Sequence, residues 1–168
     1  LDGTNLPIVR TSGLILNASP HLKILTNDQG ITQLSGNLVL EKSFLTINLK
    51  DLTSGDSSSN NSNNSPPYFS IDSEPFSNWL VDVNIKGDNF MKMKTPAFDG
   101  TASANFKLQG YLKNPISVGS VDVTQGHIKF PFASFKVSHA QALTSRQDPY
   151  VFQLDAEANA RIYGYDLK

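Results

Sequence analysis

The sequence contains no cysteine among its 168 residues. A disulfide framework and a cysteine-ligated zinc site are therefore excluded, although the absence does not identify the compartment. No apolar run approaches the roughly 20 residues that a membrane-spanning helix needs, and the opening LDGTNLPIV does not read as a signal peptide. The chain ends at YGYDLK within a new polar–apolar alternation. We therefore expect residues 1–168 to be a single fragment of a longer protein.

Charge is also sparse and balanced. Charged residues make up 17% of the chain, and the net charge is −1. This composition gives no indication of a nucleic-acid partner or of a broadly basic membrane-binding surface. Strand alternation puts the aromatic residues on the apolar faces and their neighbouring lysines on the opposite faces, which is the reverse of a platform that stacks bases beside cations.

Catalytic and metal-binding motifs are missing as well. His21, His127 and His139 lie in separate segments with no carboxylate at ligand spacing. Asp99 and Asp148 precede Gly100 and Pro149, and turn formation accounts for them. No nucleophile elbow, phosphate-binding loop or dinucleotide fingerprint occurs. We expect a protein that is not an enzyme and that uses no metal or cofactor.

The segment FQLDAEANARI, residues 152–162, shows what the sequence does contain. Several of its residues favour helices by propensity. Its apolar residues, however, occupy every second position from Phe152 to Ile162, with polar residues between them. Strict alternation predicts a strand with one dry and one wet face.

The same alternation recurs along most of the chain. It runs through residues 34–40, 45–49, 81–86, 102–109, 121–130 and 135–137, and Gly, Pro, Asn and Asp separate the runs. Such spacing is typical of strands joined by turns. Only SNWLV could hold a turn or two of helix. The sequence predicts an all-β fold.

Residues 53–67, TSGDSSSNNSNNSPP, break this rhythm. The segment is of low complexity and has no large apolar side chain, so it cannot bury enough surface to offset the entropy of ordering. We expect a polar loop between strands rather than a domain boundary.

Three alanines, Ala156, Ala158 and Ala160, occupy the dry face of the 152–162 strand. In a packed core they would make room for large neighbours such as Phe106 or Phe130. In an open groove they would keep the wall apolar and leave space for a ligand. The residues alone leave both interpretations open.

The order of several motifs resembles a known family. GYLKNP (110–115), GSVDVTQGHIKF (119–130), DPYVF (148–152) and IYGYDL (162–167) follow one another as in the TamB C-terminal domain. That domain belongs to the AsmA-like group of bridge-like lipid-transfer proteins. The similarity covers about half of the chain well, whereas residues 1–50 share only the general alternation of strands.

The resemblance implies a β-taco, an elongated sheet folded lengthwise into an open groove that is apolar inside and polar outside. It would also explain the alanines as groove wall. The residues expected to line this lipid groove are Val81, Val83, Ile85, Ala104, Phe106, Leu108, Val121, Val123, Ile128, Phe130, Phe152, Leu154, Ala156, Ala158, Ala160 and Ile162.

The resemblance also implies a function. The fragment would lie in the periplasm of a two-membrane bacterium, within a protein anchored in the inner membrane. It would shield phospholipid acyl chains in transit between the membranes, and its parent would meet a TamA-like outer-membrane barrel. One alternative is an assembly factor that pairs its edge strands with outer-membrane barrel proteins or autotransporters. Another is a β-sandwich or solenoid adhesin segment.

Overall fold

The computed structural model describes residues 1–46, 70–131, 133–162 and 165–167, with positions 161, 162 and 165–167 described by their backbone only. These ranges form one sheet and contain no α-helix. The strands are β1 (Leu6–Arg10), β2 (Leu14–Thr26), β3 (Thr32–Leu45), β4 (Leu80–Lys94), β5 (Phe98–Tyr111), β6 (Ile116–Lys129), β7 (Ser134–Thr144), β8 (Gln153–Ile162) and β9 (Tyr165–Leu167).

The expected all-β class is confirmed, and so is the strand over most of the 152–162 segment. Near SNWLV the chain forms only one short 3-10 turn, Phe76–Asn78, before β4 begins. The run at 34–40 and the start of the run at 45–49 belong to one strand, because β3 continues unbroken to Leu45. Ile47, Leu49 and the loop at 53–67 lie outside the described residues.

Each strand pairs with the next along the chain, in the order β1 to β9. All pairs are antiparallel except β3–β4, which is parallel. Parallel neighbours cannot be joined by a tight hairpin, and β3 and β4 are accordingly far apart in the sequence. In the described part β1 and β9 each have one partner strand, so the sheet stays open and does not close into a barrel.

Two bulges keep the apolar residues on one face. Ala102 pairs with Val123 whereas Thr101 pairs with Gln125, so Thr124 is an extra residue in β6. An extra residue reverses the alternation beyond it. Odd-numbered Val121 and Val123 therefore share a face with even-numbered Ile128. Ser138 is the corresponding extra residue in β7.

The tightest packing lies on the apolar side of β4 and β5. Val81, Val83, Leu108 and Leu112 form a buried cluster there. Partly buried side chains pack against this cluster, namely Leu22, Leu34, Leu38, Trp79 and Ile85. Residues of a single sheet are buried this deeply only when something covers their face. The packing is consistent with an open sheet that curls toward its apolar side.

Gly36 helps to make this contact possible. It pairs with Leu22 on one side and Val83 on the other, and it has no side chain to separate them. Its φ of +137° is one that residues with a Cβ rarely adopt, and a Cβ there would lie 2.1 Å from the carbonyl oxygen of His21. Glycine is therefore required at this position for β2 to approach β3.

Candidate functional site

The pairing register brings most of the predicted groove residues to one face of the sheet. Residues that pair across neighbouring strands point to the same side. One row across the sheet runs Gly87, Ala104, Val121, Ala142 and Leu154. The rows together place on this apolar face Val81, Val83, Ile85, Ala104, Phe106, Leu108, Val121, Val123, Ile128, Leu154, Ala156 and Ala158, and alternation along β8 adds Ala160.

Three predicted residues stand apart from this set. Phe130 follows the end of β6 and is 56% exposed, with its ring edge-on to Phe135 at a centroid distance of 5.5 Å. Phe152 precedes β8 and is 40% exposed. The side chain of Ile162 lies outside the described part of the chain.

Burial along the apolar face falls from β4 toward β8. Val81 and Ala104 are 3% and 5% exposed. Val121 on β6 is half-buried, and Ala156 on β8 is exposed. Leu154 is 78% exposed although it shares a row with buried Ala104. The face is thus closed over β4 and β5 and uncovered over the first half of β8.

Ala156 and Ala158 of β8 lie beside aliphatic residues of β7 rather than beside aromatic ones. Ala156 pairs with Ala140, and Ala158 pairs with Val137. Neither Phe106 nor Phe130 is a strand-pairing partner of either alanine. Ala160, at the far end of the strand, is 8% exposed and therefore does sit in a packed environment. The packed-core interpretation fits Ala160 and does not fit Ala156.

The opposite face of the sheet is polar and internally bonded. Lys107 and Asp82 form an ion pair of 3.1 Å, and the side-chain amide of Asn84 donates to Asn37 at 3.1 Å. Asp122 accepts hydrogen bonds from Ser120 and Gln141. Because these groups satisfy one another while half in water, the face needs no second protein layer.

A cleft of about 670 Å³ adjoins the bulges of β6 and β7. Most of the residues that line it are polar by type, and His127, Lys136 and Asn159 lie in one register row. None of the predicted groove residues lines it. Within the described ranges no three His, Asp or Glu side chains converge as a metal site, and no helix there is long and apolar enough to span a bilayer.

The family assignment rests on nearly the whole chain rather than on its second half. The family model for the TamB C-terminal domain matches residues 1–165. The chain belongs to the TamB C-terminal domain family. No curated protein matches the chain significantly. The TamB family is not an enzyme family, its proteins belong to the cell envelope, and it is associated in general with a TamA outer-membrane partner.

Sequence reasoning missed part of the apolar face of this TamB domain. Ala102, Val137, Ala140 and Ala142 share rows with predicted groove residues but are not among them. Ala102 and Val137 belong to alternating runs of the sequence, whereas the signal of Ala140 and Ala142 is weak because the bulge at Ser138 reverses the alternation beyond Val137. Only the pairing register reveals that Ala140 and Ala142 belong to the same face.

Proposed function

We propose that this TamB domain is a non-enzymatic periplasmic segment that holds phospholipid acyl chains against its apolar face during transport between the inner and outer membranes. The observation that carries the proposal is the uncovered apolar surface of β8, where Leu154 is 78% exposed and Ala156 is also exposed. An apolar strand face open to water gains stability when hydrocarbon covers it.

The energetics favour such a role. Each CH₂ group kept from water contributes about 0.8 kcal/mol, so shielding one acyl chain of about 15 carbons avoids on the order of 10 kcal/mol of exposure. An acyl chain in transit must also slide along the protein. A wall of Ala, Leu and Val offers no polar group that would hold it at one place, and the polar groups of the sheet lie on the other face.

The test is lipid copurification and photo-crosslinking with two matched variants. Ala156→Asp puts a charge on the apolar face, and Gln153→Asp puts the same charge on the polar face of the same strand. Both positions are exposed, so both variants should fold, as circular dichroism would verify. Ala156→Asp should lose bound lipid because a charge against hydrocarbon is unfavourable. Equal lipid retention in the two folded variants would contradict the proposal.

The assembly alternative has one observation in its favour. Among the described residues the outer edge of β8 pairs with β9 over Ala160–Ile162 alone, and sheet edges can accept a strand from another protein. Crosslinking should then capture an unfolded barrel protein at the backbone edge of β8, and Ala156→Asp should leave that capture unchanged. Lipid loss without loss of client capture would show that the two activities use different parts of the strand.

A further inference from the structure

The two ends of the sheet carry opposite charge, although the chain as a whole is nearly neutral. One end, where β4 and β6 finish and β5 and β7 begin, is called the basic end. Among the described residues it carries five cationic side chains, Arg10, Lys92, Lys94, Lys129 and Lys136. The carboxylate described there is Asp99, which is ion-paired with Lys129.

The opposite end, where β5 meets β6 and β7 meets β8, is acidic. Its described turns contain four carboxylates and two cations, namely Asp28, Asp72, Glu74, Asp148, Lys113 and Arg146. The register keeps these groups a full strand length from the basic end. Net charge alone conceals this separation, which is why the composition gives no indication of it.

An exposed aromatic ring projects at the basic end. Phe130 directly follows Lys129 in the β6–β7 turn, which is closed by a 2.8 Å hydrogen bond from the Phe130 amide to the carbonyl of Ala133. The ring is 56% exposed and rests edge-on against Phe135. Lys92, Lys94 and Lys136 are exposed and form no ion pair with any described carboxylate. Cationic side chains and an exposed aromatic ring at the same end of a domain are a combination that binds an anionic lipid interface.

We propose that the basic end docks on an anionic bilayer surface, with Phe130 inserted at the headgroup level and the acidic end directed away. Charge complementarity selects the surface, and repulsion of the acidic end sets the orientation. The exposed ring favours a bilayer over a soluble polyanion, because only a bilayer offers an apolar layer next to its charge. This docking does not require the apolar face to carry lipid.

The first test compares two charge-matched triple variants of the full chain. Lys92→Gln, Lys94→Gln and Lys136→Gln neutralise the basic end, and Lys23→Gln, Lys113→Gln and Arg146→Gln remove the same charge elsewhere. Binding is measured by co-sedimentation with vesicles of equal parts phosphatidylglycerol and phosphatidylcholine. Each cation lost near the surface should lower binding about fivefold, so the basic-end variant should lose about a hundredfold and the control far less. Equal losses, or no binding by the unmodified chain, would overturn the proposal.

The second test reads out orientation. Because the chain has no cysteine, Phe130→Cys and Leu25→Cys each provide a single labelling site, at the basic and the acidic end respectively. An environment-sensitive dye at position 130 should shift to the blue on vesicles and be quenched by brominated lipid, while the dye at position 25 should not respond. Equal responses would refute the orientation. Binding to heparin as tight as to vesicles, with no shift at position 130, would refute the bilayer as the occupant.

Discussion

The apolar faces of β4–β5 and of β7–β8 follow the same alternating pattern, yet one is closed and the other open. On β4 and β5 the alternating residues include Val83 and Leu108, which have Leu22, Leu38 and other large side chains near them. On β7 and β8 the alternating residues are largely alanines, of which Ala140 pairs with Ala156 while Ala142 pairs with Leu154. Alternation therefore determines which face is apolar, while side-chain volume determines whether the residues of that face can bury one another.

This difference accounts for Ala156, the exposed alanine of β8, whereas Ala160 is buried. A methyl group buries little area, so a row of alanines gives a face little tendency to close over itself. It also leaves room above the strand. In the proposed function that room is where hydrocarbon lies, whereas the closed face of β4 and β5 supplies the stability of the sheet.

The largest effect should come from a charge placed in the closed face. Val83→Asp would bury a carboxylate without a partner, since Val83 is 5% exposed, and should lower the free energy of unfolding by about 4 kcal/mol or more. Leu154→Asp is the matched change on the open face and should stay within about 0.5 kcal/mol. Urea unfolding followed by circular dichroism measures both. If the two variants were equally destabilised, the division into closed and open faces would be wrong.

The boundary between the closed part of the apolar face, on β4 and β5, and its open part, on β7 and β8, can be tested at Gly119 of β6. Its φ is +152°, and a Cβ there would lie 2.0 Å from the carbonyl oxygen of Asn105. Gly119→Ala must distort the β5–β6 pairing and should destabilise the domain by about 3 kcal/mol. Gly30 has φ +78° but open space around it. Gly30→Ala should lower the free energy of unfolding by only about 1 kcal/mol. A similar loss for both variants would mean that the positive φ alone accounts for the effect, and that the close approach of the Asn105 carbonyl to Gly119 does not contribute.

The strand content, and which residues within each run share a face, could be predicted because both depend on local alternation. The parallel pairing of β3 with β4 could not, since Gly36 and Val83 are distant in the chain and no local signal links them. The bulge at Thr124 was also invisible, because its role appears only when Val123 and Gln125 are matched to β5. The position of Phe130 outside β6 depends in turn on where the β6–β7 turn closes.

Added volume should be tolerated on the open face and not on the closed one. Ala104→Leu inserts a larger side chain at a position that is 5% exposed and should destabilise the domain by about 2 kcal/mol through overpacking. Ala156→Leu places the same side chain where there is space, and it should change stability by less than about 0.5 kcal/mol. Thermal unfolding provides the comparison. A clear destabilisation by Ala156→Leu would show that the face of β8 is covered.

The smallest effect on stability is expected on the polar face, where β4–β5 and β7–β8 should contribute equally little. Lys107 and Asp82 form a 3.1 Å ion pair, and both side chains are more than 40% exposed. Lys107→Gln should therefore reduce the free energy of unfolding by only about 0.5 kcal/mol, and about 1 M salt should remove most of that difference by screening. Lys86→Gln is the control, because the Lys86–Asp88 pair is longer at 3.5 Å and more exposed. A loss of stability well above that of the control, and insensitive to salt, would mean that the polar face helps to close the apolar side of β4 and β5. Side-chain volume on the apolar face would then not be the sole cause of the difference between β4–β5 and β7–β8.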